Sequence, residues 1–108
     1  MLLLGSGNLV HNLRKVNWEM PHAAYPWAEE FDHKLKKAIA EHDAESLSAP
    51  DRWGRSLLAE AHSTLEHYAP ILYCLGSTDE RDRVSYPYDG MQFGAISIRM
   101  ALFEPVDT

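Results

Sequence analysis

The stretch Gly5-Ser6-Gly7-Asn8-Leu9-Val10-His11-Asn12-Leu13 carries the most information about how this chain folds. It follows an apolar run at residues 1–4, which predicts a buried β-strand leading into a tight glycine-rich turn. The strand would fix the position of the turn, and the glycines would let the backbone reverse direction before His11. A histidine held in this way can accept a proton or bind a metal ion near neutral pH. The stretch therefore predicts a strand end that presents a reactive side chain.

Composition and charge narrow the class of protein. The chain has 108 residues and is 45% hydrophobic, which suits a single domain over residues 1–108. A formal net charge of −6 argues against a nucleic-acid-binding surface. We expect no membrane segment, because no apolar run approaches the ~20 residues needed to cross a bilayer. The single cysteine, Cys74, lies in an apolar stretch, so we expect a buried structural thiol and a cytoplasmic protein.

The hydrophobic pattern predicts about three helices. They are expected at residues 26–41, 51–61 and 67–75. Pro26 suits the first turn of the first helix, and Gly76 suits the end of the third. The spacing of Ser63 and Glu66 predicts a capping box ahead of the third helix. Gly54 weakens the prediction of the second helix.

Two further strands are expected near the end of the chain, at residues 84–88 and 93–103. The order of a strand, then helices, then strands predicts an α/β or α+β fold, and we favour α/β. A parallel strand is normally buried between neighbours on both sides. A chain that opens in such a strand is therefore expected to be a fragment of a larger protein, or to complete itself by forming a homo-oligomer.

Six histidines are candidates for chemistry: His11, His22, His33, His42, His62 and His67. His33 and His42 fall on the polar face or at the end of a predicted helix, and we expect them to be exposed and without a role. His22 lies in a predicted loop and is ambiguous.

His11 and His67 each allow more than one interpretation. His11 is either a reactive residue or a turn histidine bonded to nearby backbone. A phosphate-binding loop is disfavoured, because Gly5 and Gly7 lack the further glycine of a dinucleotide site and the Gly-Lys-Ser/Thr of a P-loop. His67 either points into a cleft from a helix start or lies inside, bonded to a carbonyl. Together the two could share acid–base work or bind a metal, although a catalytic divalent site usually takes three protein ligands.

Several motifs resemble one family. The segment Gly5-Ser6-Gly7-Asn8-Leu9-Val10-His11-Asn12-Leu13-Arg14 closely resembles the catalytic-histidine segment of class III (LigB-type) extradiol ring-cleavage dioxygenases, above all their 4,5-DOPA dioxygenase branch. Further motifs of that branch are matched in order by Tyr25-Pro26-Trp27-Ala28, by Ala61-His62-Ser63-Thr64-Leu65-Glu66-His67-Tyr68-Ala69-Pro70-Ile71-Leu72-Tyr73 and by Gly90-Met91-Gln92-Phe93-Gly94-Ala95-Ile96-Ser97. Ser63 is a departure, because related sequences often carry proline there. Family members are much longer, so the resemblance implies the C-terminal portion of a LigB-like α/β fold.

The resemblance also implies an activity and a site. Such enzymes open catecholic small molecules with O2 at a non-haem Fe(II), and some isolated members hold zinc. By the resemblance, His11 would be the catalytic residue that moves protons and would also approach the metal as a ligand, and His67 would be the metal ligand of this half. His62 and Asn12 would lie at the substrate. The remaining ligands would come from a missing N-terminal half, and the alternative is an inactive remnant that folds by self-association without a catalytic metal.

Overall fold

The computed structural model describes residues 2–106. In chain order these residues form α1 (Pro26–Ala40), α2 (Ala44–Ser48), a 3-10 helix (Pro50–Trp53), α3 (Arg55–Ala61), α4 (Ala69–Gly76), β1 (Arg83–Ser85), β2 (Met91–Gln92), β3 (Ile96–Ser97) and β4 (Leu102–Glu104). Strand β1 pairs with β4, and β2 pairs with β3, both antiparallel. The mixed content of helices and short strands agrees with the predicted α/β class. Over residues 2–106, no helix is both long and apolar enough to cross a membrane.

Helix α1 supplies the centre of the core. It begins at Pro26, as predicted, because a proline at the first helical position loses no intrahelical hydrogen bond. Its apolar side chains recur with helical spacing and are buried at Phe31, Leu35, Ala38 and Ile39. The helix therefore turns one continuous face toward α2 and α3.

The predicted second helix is interrupted. Pro50–Trp53 forms a 3-10 helix and α3 begins only at Arg55, because Gly54 has φ +126°, a conformation that side chains rarely adopt. Helix α2 was not predicted. Its signal is Asp43, whose side chain caps the helix by accepting a hydrogen bond from the Ser46 amide at 3.1 Å.

The predicted capping box is wrong. Helix α4 begins at Ala69 rather than at His67, and its cap residue Tyr68 makes no side-chain capping bond. Residues 63–68 instead form bends and turns, through which the carbonyl of His67 reaches the amide of Asn8 at 2.9 Å. This long-range bond competes with an earlier helix start and sets the position of His67.

The single long strand predicted at residues 93–103 is also wrong. Phe93 and Gly94 have φ of +54° and +80°, which separates β2 from β3, and β4 starts only at Leu102. Of the strand predicted at residues 84–88, only the first part is observed, as β1. Two short antiparallel pairs therefore replace the longer strands.

Three smaller expectations need correction. The strand predicted at residues 1–4 is not observed over residues 2–4, which are exposed and pair with no strand among residues 2–106. Met1 lies outside the described residues. Cys74 is half-buried rather than buried, with its Sγ against the backbone of Gly5. His33 is exposed as expected, but His42 is half-buried, and its Nε2 lies 3.1 Å from the carbonyl of Asp82.

Candidate functional site

Residues 8–12 run between two other parts of the chain that hold them by backbone hydrogen bonds. The amide of His11 donates to the carbonyl of Ala61 at 3.0 Å, at the end of α3. On the other side, the amide of Ser97 in β3 donates to the carbonyl of Val10 at 2.9 Å. The side chain of Val10 is fully buried beneath. The backbone of His11 is thus fixed from both sides, and its reactive role stays a prediction.

Gly7 allows the turn before α4 to approach this segment. A Cβ atom at Gly7 would overlap the carbonyl oxygen of His67, so a side chain there would push the two segments apart. The adjacent bond from the Asn8 amide to that carbonyl completes the contact. The tight turn predicted at Gly5 and Gly7 is wrong, because residues 2–8 contain no turn or bend. Gly7 instead makes room for the backbone carbonyl of the second histidine.

The imidazole rings of His11 and His67 are stacked. Their centroids are 3.6 Å apart and their planes differ by 13°. Partial burial lowers the pKa of His11, and the positive charge that His67 can carry lowers it further. His11 is therefore held in its neutral form near pH 7, in which one ring nitrogen can accept a proton.

His62 is a buried histidine bonded to the backbone of the same segment. It is 4% exposed, and its Nε2 lies 2.6 Å from the carbonyl of Leu9. Because a carbonyl can only accept, Nε2 carries the proton, and Nδ1 is left as a buried acceptor with no partner among residues 2–106. Burial lowers the pKa of His62, which outweighs the bond to Leu9. His62 is thus a neutral, packed histidine.

Asn12 shapes the turn that follows His11. Its side-chain amide donates to the carbonyl of Glu60 at 2.6 Å, and its Oδ1 accepts from the amide of Arg14 at 3.0 Å. The side chain is almost fully buried. The predicted contact of His62 and Asn12 with a substrate stays a prediction.

A buried ion pair, which the sequence analysis missed, supports the same segment. Asp32 of α1 accepts from the Arg99 guanidinium at 2.7 Å and from the Ser97 hydroxyl at 2.6 Å. Burial works against the charge of Arg99, but the hydrogen bonds and charge of Asp32 prevail and raise its pKa. The carbonyl of Ser97 accepts from the side chain of Asn8 at 2.9 Å. The signal was available, because Asp32 falls four residues after Ala28, on the buried face of α1.

A shallow cavity of about 310 Å³ opens beside His62. Its lining comes from α3 and the turn after it: Arg55, Leu58, Ala59, His62, Ser63, Thr64 and Leu65. Neither His11 nor His67 lines it, so this cavity is separate from the stacked pair.

His11 and His67 alone do not fit a divalent metal ion in this arrangement. A histidine nitrogen binds a metal in the plane of its ring, and two nearly parallel rings 3.6 Å apart share no plane. One ion can therefore take an in-plane bond from only one of them at a time. Across residues 2–106, no group of three or more His, Cys, Asp or Glu side chains could hold a metal. A complete metal site would need donors from outside these residues.

The chain is similar to two proteins named 4,5-DOPA dioxygenase extradiol. It is 34% identical over 104 residues to the one from Escherichia coli (strain K12), across 91% of this chain and 36% of that protein. It is 29% identical over 104 residues to the one from Portulaca grandiflora, across 89% of this chain and 35% of that protein. The chain thus spans about a third of the length of these relatives.

A solved structure shares the fold. The crystal structure of an uncharacterized protein from Escherichia coli K12 matches with a TM-score of 0.76 and 34% sequence identity, over 89% of this chain and 40% of that one. No family model matches the chain. The similarity to these proteins therefore extends over nearly all of this chain, but over less than half of each of them.

Proposed function

We propose that this chain is part of an extradiol ring-cleavage dioxygenase of the LigB type, which opens a catecholic ring with O2. The observation that carries the proposal is the stacked pair of His11 and His67, built where residues 8–12 meet the turn before α4. The similarity to proteins named extradiol dioxygenases over 91% of the chain supports it. The substrate class comes from the resemblance of the motifs and from the names of the relatives.

In this proposal His11 is the catalytic residue that accepts and returns a substrate proton. Its lowered pKa keeps it neutral near pH 7, and its fixed backbone holds the ring beside His67. His67 is assigned as a ligand of Fe(II), or of zinc in the isolated protein. His11 can be a second ligand only if its ring leaves the stack, because the stacked rings offer one in-plane bond at a time.

His62 and Asn12 are assigned to the wall of the substrate pocket. Their bonds to the backbone of Leu9 and Glu60 would keep that wall rigid while His11 and His67 remain free for chemistry. The remaining metal donors would come from polypeptide that corresponds to the unmatched part of the relatives.

One observation favours a second candidate. Leu2, Leu3 and Leu4 are 87%, 51% and 84% exposed. Three consecutive exposed leucines are unusual on the surface of a monomeric protein. An inactive remnant that self-associates through this surface, without a catalytic metal, is therefore the competing hypothesis.

The test is reconstitution. The chain would be co-expressed with the part of the Escherichia coli relative that it does not match, loaded with Fe(II) without oxygen, and given catechols and O2. We expect oxygen uptake and a yellow ring-opened product. The His11→Gln variant should lose both, whereas His33→Gln on the exposed face of α1 should not. A complex that holds iron but cleaves no catechol would refute the proposal, and a metal-free homo-oligomer would favour the second candidate.

A further inference from the structure

We infer that residues 2–7, here called the N-terminal edge, form one strand of a sheet that is completed by a strand from the polypeptide corresponding to the unmatched part of the relatives. This inference rests on the proposed function for the identity of its partner. It adds the place where that partner docks, and it explains how the docked polypeptide reaches the stacked histidines.

The N-terminal edge has free hydrogen-bonding groups. Residues 2–7 contain no helix, turn or bend, and all of them are exposed. Within the described part of the chain, no backbone hydrogen bond involves them, and the first such bond is made by the amide of Asn8. Six residues is an ordinary strand length, and unpaired amides and carbonyls in such a segment are a template for another strand.

The edge is nevertheless held in place on one side. A Cβ at Gly5 would lie 2.7 Å from the Sγ of Cys74 and 3.1 Å from the carbonyl of Pro70, so the backbone of the edge lies directly on α4. Gly7 makes the same kind of close approach to the carbonyl of His67. A strand covered by a helix on one side, with Leu2 and Leu4 exposed, has the environment of a sheet strand without its neighbours.

The size of the similar proteins indicates which polypeptide pairs with the N-terminal edge. The shared fold makes up 40% of the chain in the Escherichia coli crystal structure, so more than half of that protein has no counterpart here. The match covers 89% of this chain at a TM-score of 0.76, so most of this chain folds as its counterpart does inside that larger protein. Chain outside the matched region is therefore the partner that fits, whether it is joined to this chain or separate.

The N-terminal edge leads directly to the stacked histidines. The edge leads within four residues to His11, and paired strands lie only about 4.8 Å apart. A strand paired along residues 2–7 would end beside the stacked histidines and could present its own side chains there. A second copy paired antiparallel along the same edge would present its own N-terminal edge, and residues 2–7 carry no His, Cys, Asp or Glu. The incomplete donor set thus favours the missing part of the fold over a homodimer.

The experiment measures assembly without metal or substrate. Full-length chain would be co-expressed with the tagged, unmatched part of the Escherichia coli relative, with the matched segment of that relative as positive control. We expect a 1:1 complex in which alternate amides of residues 2–7, those that face the added strand, exchange hydrogen at least about ten-fold more slowly than in the free chain. The double variant Leu2→Asp/Leu4→Asp should weaken binding about ten-fold or more, because its charges replace buried apolar contacts. Met100→Asp, at another exposed apolar position, should not.

Three results would overturn the inference. They are the absence of a complex, a complex in which residues 2–7 exchange as fast as in the free chain, and sedimentation of the chain alone as a dimer with these amides protected. A complex with a protected edge that cleaves no catechol would contradict the proposed function and leave the docking surface intact. The two proposals therefore fail separately.

Discussion

The substitution Asp32→Ala tests how residues 8–12 are held in place. It removes one partner of an ion pair whose side chains are only 6% exposed for Arg99 and 4% exposed for Asp32. The guanidinium loses contacts at 2.7 and 3.2 Å, and the hydroxyl of Ser97 loses its acceptor at 2.6 Å. Arg99 keeps the exposed carboxylate of Asp89 at 3.2 Å and the ring of Tyr86 at 5.3 Å from its centroid.

Breaking a buried pair by removing one partner typically costs about 3–5 kcal/mol, because the remaining charge stays buried without compensation. We expect a loss of about 3 kcal/mol in the free energy of unfolding, at the low end because Asp89 still accepts from Arg99. The matched control is Glu104→Ala, which breaks the pair with Arg83. Those side chains are 43% and 68% exposed, so the loss there should be below about 1 kcal/mol.

Urea unfolding followed by circular dichroism measures both losses under the same conditions. Each 1 kcal/mol should also lower Tm by about 4–8 °C in a chain of this size. Replacing both partners, as in Asp32→Leu with Arg99→Met, should recover much of the stability, because no buried charge is left alone. The reasoning is refuted if Asp32→Ala costs no more than Glu104→Ala.

Two further predictions concern the site. Gly7→Ala should destabilise the chain by about 1–3 kcal/mol in urea unfolding, because the new Cβ overlaps the carbonyl of His67. The control Gly76→Ala meets no atom within 4 Å and should change stability by less than about 0.5 kcal/mol; equal losses would contradict the proposed close approach. In the metal-free chain, burial lowers the pKa of His62. The stability that neutral His62 contributes is therefore present above pH 6.5, the ordinary histidine pKa, and is lost as pH falls through the pKa of His62 in the folded chain. The free energy of unfolding, measured against pH, should fall in this range, and it should fall less steeply for His62→Gln. Identical pH slopes for the two chains would rule out a contribution of neutral His62 to stability.

Part of the fold could be predicted from the sequence because local chemistry determines it. The apolar spacing of α1 indicates its buried face, whereas the tight turn indicated by Gly5 and Gly7 is not observed. The start of α4 could not be predicted in this way. Ser63 and Glu66 have the spacing of a capping box, but the carbonyl of His67 is bonded to a distant amide, and the helix begins after it.

The sequence alone determined which residues are available. They are His11 and His67, in motifs that resemble extradiol dioxygenases, and a helix with one apolar face. Only the tertiary structure decided how they meet. The stacking of His11 on His67 depends on Gly7 fitting against a carbonyl 60 residues away in the chain, and the pairing of Asp32 with Arg99 spans 67 residues. Such contacts depend on the relative position of distant segments, which is set by packing of the whole core and not by any local pattern.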